Sequence, residues 1–147
     1  MAAERRLLDS NLIVRHLVQD HEQHSKIAGR LFEASDRGLL TLVIVPVVLA
    51  ECVFVLESVY QRTRAEIADN LTLLIGSPGI ELQDRDICID ALKRYRSCKM
   101  HFIDCTLAAA AALETIPVAS LDAGFKRFSD VVVEVGPGRA LSERRRL

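Results

Sequence analysis

The sequence predicts an α/β fold with a mainly parallel sheet, and two observations lead to it. Short apolar, β-branched segments alternate along the chain with longer segments whose apolar residues recur at helical spacing. Strands that alternate with helices are typical of parallel sheets, because a crossover helix returns the chain to the starting edge. The length of 147 residues, of which 50% are hydrophobic and 27% charged, favours one ordered globular domain.

Four segments are predicted strands. The first, RLLD at 6–9, is short and ends in an acid, and the second, LLTLVIV at 39–45, is as apolar as a strand covered on both faces. The other two are IPVASL at 116–121 and VVVEV at 131–135. Functional groups in parallel sheets collect beyond the carboxyl ends of the strands, so the residues that follow each strand are the first candidates.

Six helices are predicted around these strands, and several carry recognisable boundary residues. Gly38 follows the second helix, Pro46 stands in the first turn of the third, and GSPG at 76–79 ends the fourth. The third helix is apolar on almost every face, so we expect part of it to meet a second copy or a partner. The helices are predicted at 11–18, 22–36, 46–59, 64–75, 84–96 and 101–114.

Composition and charge exclude several classes of protein. The net charge of −1 gives no global attraction to nucleic acid, so an RNA partner would need local basic patches. The longest uncharged run, at 39–50, is too short for a membrane span, and the charged N-terminus does not resemble a signal peptide. We therefore expect a cytoplasmic protein with no membrane association. The four cysteines form no CxxC pair, which predicts reduced thiols rather than a zinc site.

Four acids stand alone in apolar surroundings. Asp9 closes the first predicted strand and Asp122 follows the third, while Glu51 and Asp104 lie in the first turns of predicted helices. If these carboxylates meet at one sheet edge they repel one another unless a cation lies between them, and Mg²⁺ prefers oxygen ligands. A metal site of this kind suits phosphodiester hydrolysis, because a bound metal ion activates water and neutralises phosphate charge.

Each acid also has a purely structural interpretation. Asp9 and Asp122 could cap the helical turns that follow them, and Asp104 could favour a helix N-terminus through the dipole. Glu51 could simply face solvent.

The residues and their order resemble PIN-domain ribonucleases, most closely the VapC toxins of bacterial toxin–antitoxin pairs. The matching segments, which fall within about residues 5–135, are LLDSNLIVRHLVQD, IVPVVLAECVFVLESVY, FIDCTLAAAA and VASLDAGFKRF. The resemblance implies a three-layer α/β/α domain at 1–138, built on a mainly parallel sheet of four to five strands. A basic tail follows at 139–147.

The resemblance also implies a metal-dependent endoribonuclease that cleaves tRNA or ribosomal RNA, with Mg²⁺ or Mn²⁺ as cofactor. The implied catalytic residues are Asp9, Glu51, Asp104 and Asp122, of which Asp9, Asp104 and Asp122 hold the metal, with Asn11 and Ser120 as polar support. Ser10 stands where the family commonly has Thr, and it keeps the hydroxyl. The implied partners are RNA, a second copy in a homodimer, and a small VapB-like antitoxin.

Positive charge for RNA is concentrated in two segments. KRYRSCK directly precedes the helix of Asp104, and FKRF follows Asp122. We expect these cations to contact the RNA backbone, although a solvated helix face explains them as well. The residues predicted to bind RNA are Lys93, Arg94, Arg96 and Lys99.

Three other functions remain open. A PIN-fold RNA-processing nuclease without an antitoxin would share the acids, and a non-catalytic interaction module would keep the fold without turnover. A phosphatase or phosphoacceptor domain is disfavoured, because Asn11 stands where such a phosphatase has its second acid.

Overall fold

The computed structural model describes residues 2–137 of the chain. The elements follow one another in the order of a strand–helix fold with a short 3₁₀ helix near the end. They are β1 (Glu4–Leu7), α1 (Ser10–Val18), α2 (Glu22–Asp36), β2 (Leu40–Ile44), α3 (Pro46–Ser58), α4 (Arg64–Ile75), β3 (Ile80–Leu82), α5 (Arg85–Ser97), α6 (Phe102–Glu114) and the 3₁₀ helix (Ala123–Arg127). The predicted basic tail at 139–147 lies outside the described residues.

The sheet is parallel, as predicted, with β2 between β1 and β3. Leu7 is the register partner of Val43, and Ile44 is the partner of Leu82, so all three strands end at one edge. The backbone N–H of Leu8 donates to the carbonyl of Val43 at 2.8 Å, which fixes the direction of the chain just before Asp9. The edge that the sequence analysis singled out therefore exists.

The predicted number of strands, four to five, was wrong for the described residues, which contain a three-stranded sheet. The segments at 116–121 and 131–135 meet only in one parallel bridge between Val118 and Val133. The N–H of Val118 bonds the carbonyl of Val132, and the N–H of Glu134 bonds the carbonyl of Val118, so these segments pair with each other and are not part of the three-stranded sheet. The strand β3 was not predicted, because its three residues are too few to display strand periodicity.

All six predicted helices are present, each with boundaries within one residue of the prediction. Local chemistry explains this agreement. Pro46 occupies the first turn of α3, and α4 begins with a capping box in which Thr63 and Glu66 each bond the other's backbone N–H. Gly38 follows α2 with φ of 77°, a conformation that favours glycine.

The core lies between the sheet and the helices that pack on it and on each other. α5 packs against both α4 and α6, and α3 contacts α1 and α6. The surface of α3 is not fully covered, since Val47 and Phe54 are 73% and 69% exposed. In the described part of the chain, no helix is long and apolar enough to cross a membrane.

Candidate active site

Asp9 lies at the carboxyl edge of the sheet, directly after β1, and occupies the N-cap position of α1. Its backbone is extended, with φ of −81° and ψ of 149°, as expected for an N-cap. Its side chain, however, makes no capping hydrogen bond and is exposed. The capping interpretation therefore does not account for this carboxylate, which remains available for another role.

Ser10 connects Asp9 to Glu51 across 41 residues of sequence. Its side chain is buried, and the hydroxyl oxygen lies 3.0 Å from Glu51 Oε2 and 3.4 Å from Asp9 Oδ1. A hydroxyl has one hydrogen to donate, so it bonds one carboxylate at a time, and the shorter distance favours Glu51. The sequence predicts only that Ser10 keeps the hydroxyl of the family's Thr, and it does not predict this contact.

Cys52 holds the helix of Glu51 against the helix that follows Asp9. It is fully buried, and its Sγ lies 3.9 Å from the backbone carbonyl of Ser10. Burial, together with the negative charges of Glu51 and Asp9, raises the pKa of the Cys52 thiol to about 12. The thiol is therefore a neutral packing group between two acids that lie close to it.

Asp104 is half-buried in the first turn of α6, the helix that packs against α3. The N-cap residue of this helix, His101, provides no side-chain capping bond. A carboxylate at this position is favoured by the helix dipole, as the structural interpretation predicted.

Asp122 has the capping role that was considered for it. Its Oδ1 accepts a hydrogen bond of 2.7 Å from the N–H of Gly124, at the start of the 3₁₀ helix. Its own N–H donates to Ser120 Oγ at 3.0 Å, so the predicted supporting serine shapes this turn. A Cβ built on Gly124 would lie 3.2 Å from Met100 Cε, which places the turn against the residues that precede α6.

The four candidate acids have no cationic partner among the described residues, a property that they share with eight other acids there. None of the four forms an ion pair within residues 2–137, although seven other acids in that range do. The paired acids are Glu4, Asp20, Glu22, Asp69, Glu81, Asp90 and Asp130. The predicted supporting residue Asn11 is exposed in the first turn of α1.

The described residues contain no group of three or more His, Cys, Asp or Glu side chains arranged to hold a metal ion. The structure relates the candidate acids in two separate places. Asp9 and Glu51 share Ser10, and the turn of Asp122 lies beside the start of the helix that carries Asp104. The donors are carboxylate oxygens, the type that Mg²⁺ and Mn²⁺ take, and Mg²⁺ commonly uses only one or two of them and keeps waters. The residue types therefore fit a hard divalent ion.

The residues predicted to bind RNA fall into two groups. Arg94 bonds Asp90 and Asp130 and lies 5.0 Å from the ring centroid of Phe128, and its side chain is only 12% exposed. Its hydrogen bonds to these acids, led by the one to Asp130, raise the pKa of Arg94. Its charge is thus already matched inside the protein.

Arg96 is paired with Asp69, at 2.9 Å, on a more exposed surface. Lys93 and Lys99 are exposed and form no ion pair in the part of the chain that is described. Lys93 also lines a groove with Ser97 and Arg127, between α5 and the residues after the 3₁₀ helix. The groove brings together two basic segments that are separate in the sequence.

Comparison with known families gives one match. The sequence model of the family described as PIN domain matches residues 6–131, which is well over half of the chain and includes all four acids. No curated protein matches the chain.

Proposed function

The chain belongs to the PIN-domain family, whose members are generally nucleases, and on this premise we propose that it is a metal-dependent endoribonuclease. The finding that carries the proposal is the contact of two of the candidate acids with one buried hydroxyl. Ser10 Oγ lies 3.0 Å from Glu51 Oε2 and 3.4 Å from Asp9 Oδ1. Neither of these two acids has a cationic partner among residues 2–137.

Asp9, Asp104 and Asp122 would hold the divalent ion, Mg²⁺ or Mn²⁺. Asp9 and Glu51 lie close to one hydroxyl and repel each other, so an ion bound beside them would relieve that repulsion. Asp122 has one carboxylate oxygen bonded to Gly124 N–H and a second oxygen that remains available. When bound, the ion would neutralise phosphate charge and lower the pKa of a water molecule.

Glu51 is the proposed general base of the site. The hydroxyl of Ser10, 3.0 Å from Glu51 Oε2, holds this carboxylate beside Asp9. Glu51 is exposed, so a water molecule can reach it and lose a proton to it as the phosphate is attacked. Ser10 is then a positioning residue, which acts through Glu51 and does not contact the substrate.

The RNA backbone would contact Lys93 and Arg127 in the groove, with Lys99 nearer the start of α6. These cations suit phosphate contacts because they are exposed, and phosphate contacts position RNA without reading its sequence. Arg94 instead maintains the wall of the groove through Asp90 and Asp130. The proposed substrate, tRNA or ribosomal RNA, and the cytoplasmic location rest on the resemblance to VapC toxins.

The role as the toxin of a toxin–antitoxin pair rests on the same resemblance, and so do the homodimer and the VapB-like antitoxin. The exposed apolar residues of α3, such as Phe54 at 69% exposure, support the use of that helix in an interface. The alternative is an RNA-processing nuclease of the same fold that works without an antitoxin. Both would cleave RNA at the same acids.

Cleavage of a total tRNA pool tests the proposal. The purified protein is incubated with Mg²⁺ or Mn²⁺, and with EDTA, alongside Asp104→Asn and the control Glu81→Gln, which changes an acid paired with Arg5. We expect discrete fragments that require metal, disappear in Asp104→Asn and persist in Glu81→Gln. Metal-independent cleavage, or equal cleavage by Asp104→Asn, would contradict the proposal. Metal binding without cleavage of any RNA pool would favour the non-catalytic interaction module.

A further inference from the structure

Cys98 and Cys105 form a close pair of thiols next to the candidate site. Their Sγ atoms lie 3.7 Å apart, and neither residue is in a disulfide. Cys98 follows the last residue of α5 and is partly exposed, whereas Cys105 is buried in the first turns of α6. Cys105 is also the residue directly after Asp104.

We propose that Cys98 and Cys105 form a reversible intramolecular disulfide, and that its formation displaces the turn that carries Asp104. The distance is short enough for the two sulfur atoms to contact each other, and the two residues are only 7 positions apart in the sequence, so no distant part of the chain has to move. The other two cysteines are different. Cys52 and Cys88 are buried, and each Sγ contacts a backbone carbonyl.

The oxidant is a peroxide, and the reaction takes two steps. The more accessible Cys98 sulfur attacks one peroxide oxygen, the O–O bond breaks, and Cys98 becomes a sulfenic acid with release of water. The Cys105 sulfur then attacks the Cys98 sulfur, the S–S bond forms, and the hydroxyl leaves as a second water with the thiol proton. Two electrons pass from the two thiols to hydrogen peroxide, and a dithiol reductant returns them.

Closure of the disulfide would change the start of α6. An S–S bond is about 2.05 Å long, so the two sulfur atoms, now 3.7 Å apart, must move about 1.6 Å closer to each other. The N–H of Cys105 bonds the carbonyl of His101 at 3.1 Å, which ties its backbone to the first turn. Met100, between the two cysteines, packs against the turn of Asp122. Movement of the connection between α5 and α6 would therefore shift both Asp104 and the turn of Asp122.

The consequence for activity rests on the proposed function. A displacement of about 1 Å at a catalytic group commonly lowers a rate by about 100-fold. We expect the oxidised protein to cleave RNA at least tenfold more slowly than the reduced protein, and a dithiol reductant to restore the rate. The disulfide itself is independent of any activity, so the two claims can be tested separately.

Peptide mapping of the intact, oxidised protein tests the disulfide. The protein is treated with hydrogen peroxide, blocked with iodoacetamide and cut with trypsin, which places Cys98 in peptide 97–99 and Cys105 in peptide 100–126. We expect these peptides to be linked in the wild type and in the control Cys88→Ser, and unlinked in Cys98→Ser. The link should disappear on reduction with dithiothreitol.

Two outcomes would overturn the inference. One is oxidation of Cys98 to sulfenic or sulfinic acid while peptide 100–126 keeps its free thiol. The other is a link that joins two copies of the chain, seen as a dimer on a non-reducing gel. If the linked peptides appear and neither redox state cleaves RNA, the proposed function fails and the disulfide stands. If the reduced and the oxidised protein cleave RNA equally, the proposed displacement of the Asp104 turn is wrong.

Discussion

Replacement of Asp9 by Asn is expected to stabilise the metal-free protein and abolish RNA cleavage. Asp9 Oδ1 and Glu51 Oε2 lie 3.4 Å and 3.0 Å from one hydroxyl oxygen, so they are at most about 6.4 Å apart. Two unit charges at that distance repel by about 0.6 kcal/mol in water and about 2.6 kcal/mol at an effective dielectric constant of 20. Both side chains are exposed, so we expect the free energy of unfolding to rise by about 1 kcal/mol, near the lower of these two values.

Urea unfolding in EDTA, followed by circular dichroism, measures this gain, and a gain of about 1 kcal/mol corresponds to roughly 4 °C in Tm. Asn is itself a good N-cap, so the start of α1 is not weakened by the change. Salt at about 0.5 M should shrink the gain, because it screens repulsion between exposed charges. The control Glu81→Gln should instead lower the free energy of unfolding by about 0.2–1 kcal/mol, because it breaks the ion pair with Arg5.

Two results would refute this reasoning. A lower free energy of unfolding for Asp9→Asn in EDTA would mean that the carboxylate has a stabilising structural partner. A stabilised variant that still cleaves RNA at the wild-type rate would mean that Asp9 takes no part in catalysis.

The remaining predictions concern a positioning residue, two glycines and one histidine. Ser10→Ala should lower kcat/KM for RNA cleavage about tenfold, or about 1.4 kcal/mol, and Ser10→Thr should keep it, because only Ala lacks the shared hydroxyl. Gly79→Ala should destabilise the protein by at least about 1–3 kcal/mol in urea unfolding, since a Cβ there would lie 2.0 Å from Ser35 Oγ and 2.3 Å from its carbonyl oxygen. Gly29→Ala, in α2 with open space around it, should stabilise by about 0.5–1 kcal/mol. Burial lowers the pKa of His16, so the unfolded chain takes up a proton at higher pH than the folded protein does. Its contribution to stability is therefore present above about pH 6.5 and lost as the pH falls below that value. In His16→Gln, the free energy of unfolding measured with urea should depend less on pH between about pH 5 and 7.5.

Three of these predictions have a clear contrary result. Equal cleavage by Ser10→Ala and the wild type would remove the shared hydroxyl from the mechanism. A stable Gly79→Ala variant would mean that β3 does not approach α2 as closely as described. An unchanged pH profile in His16→Gln would assign the acid sensitivity to other groups.

The helices were predictable because their boundaries depend on neighbouring residues. Pro46, the Thr63–Glu66 capping box and Gly38 act within a few residues of the ends that they define. Strand pairing depends on residues that are distant in the sequence, so it was harder to predict. The segments at 116–121 and 131–135 have strand-like composition but form a single bridge, and three-residue β3 joins the sheet because β2 lies beside it.

The proximity of two of the four candidate acids was also predictable from the sequence. The rule about the carboxyl ends of parallel strands led to Asp9 and Glu51, and the structure brings them to one hydroxyl. The role of Ser10 could not be predicted, because its bond to Glu51 spans 41 residues. The pairing of Arg94 with Asp130 could not be predicted for the same reason, since the two residues are 36 positions apart. Arg94 was therefore counted among the cations available for RNA, although its charge is paired within the protein.

Binding of Mn²⁺ tests the central claim most directly, because it requires neither the right RNA nor the right partner. Free Mn²⁺ is followed by electron paramagnetic resonance during titration of the wild type, Asp104→Asn and Glu81→Gln. We expect the wild type and Glu81→Gln to bind the ion equally, and Asp104→Asn to bind it at least tenfold more weakly. No binding by the wild type, or equal binding by all three proteins, would contradict a metal site built from these acids.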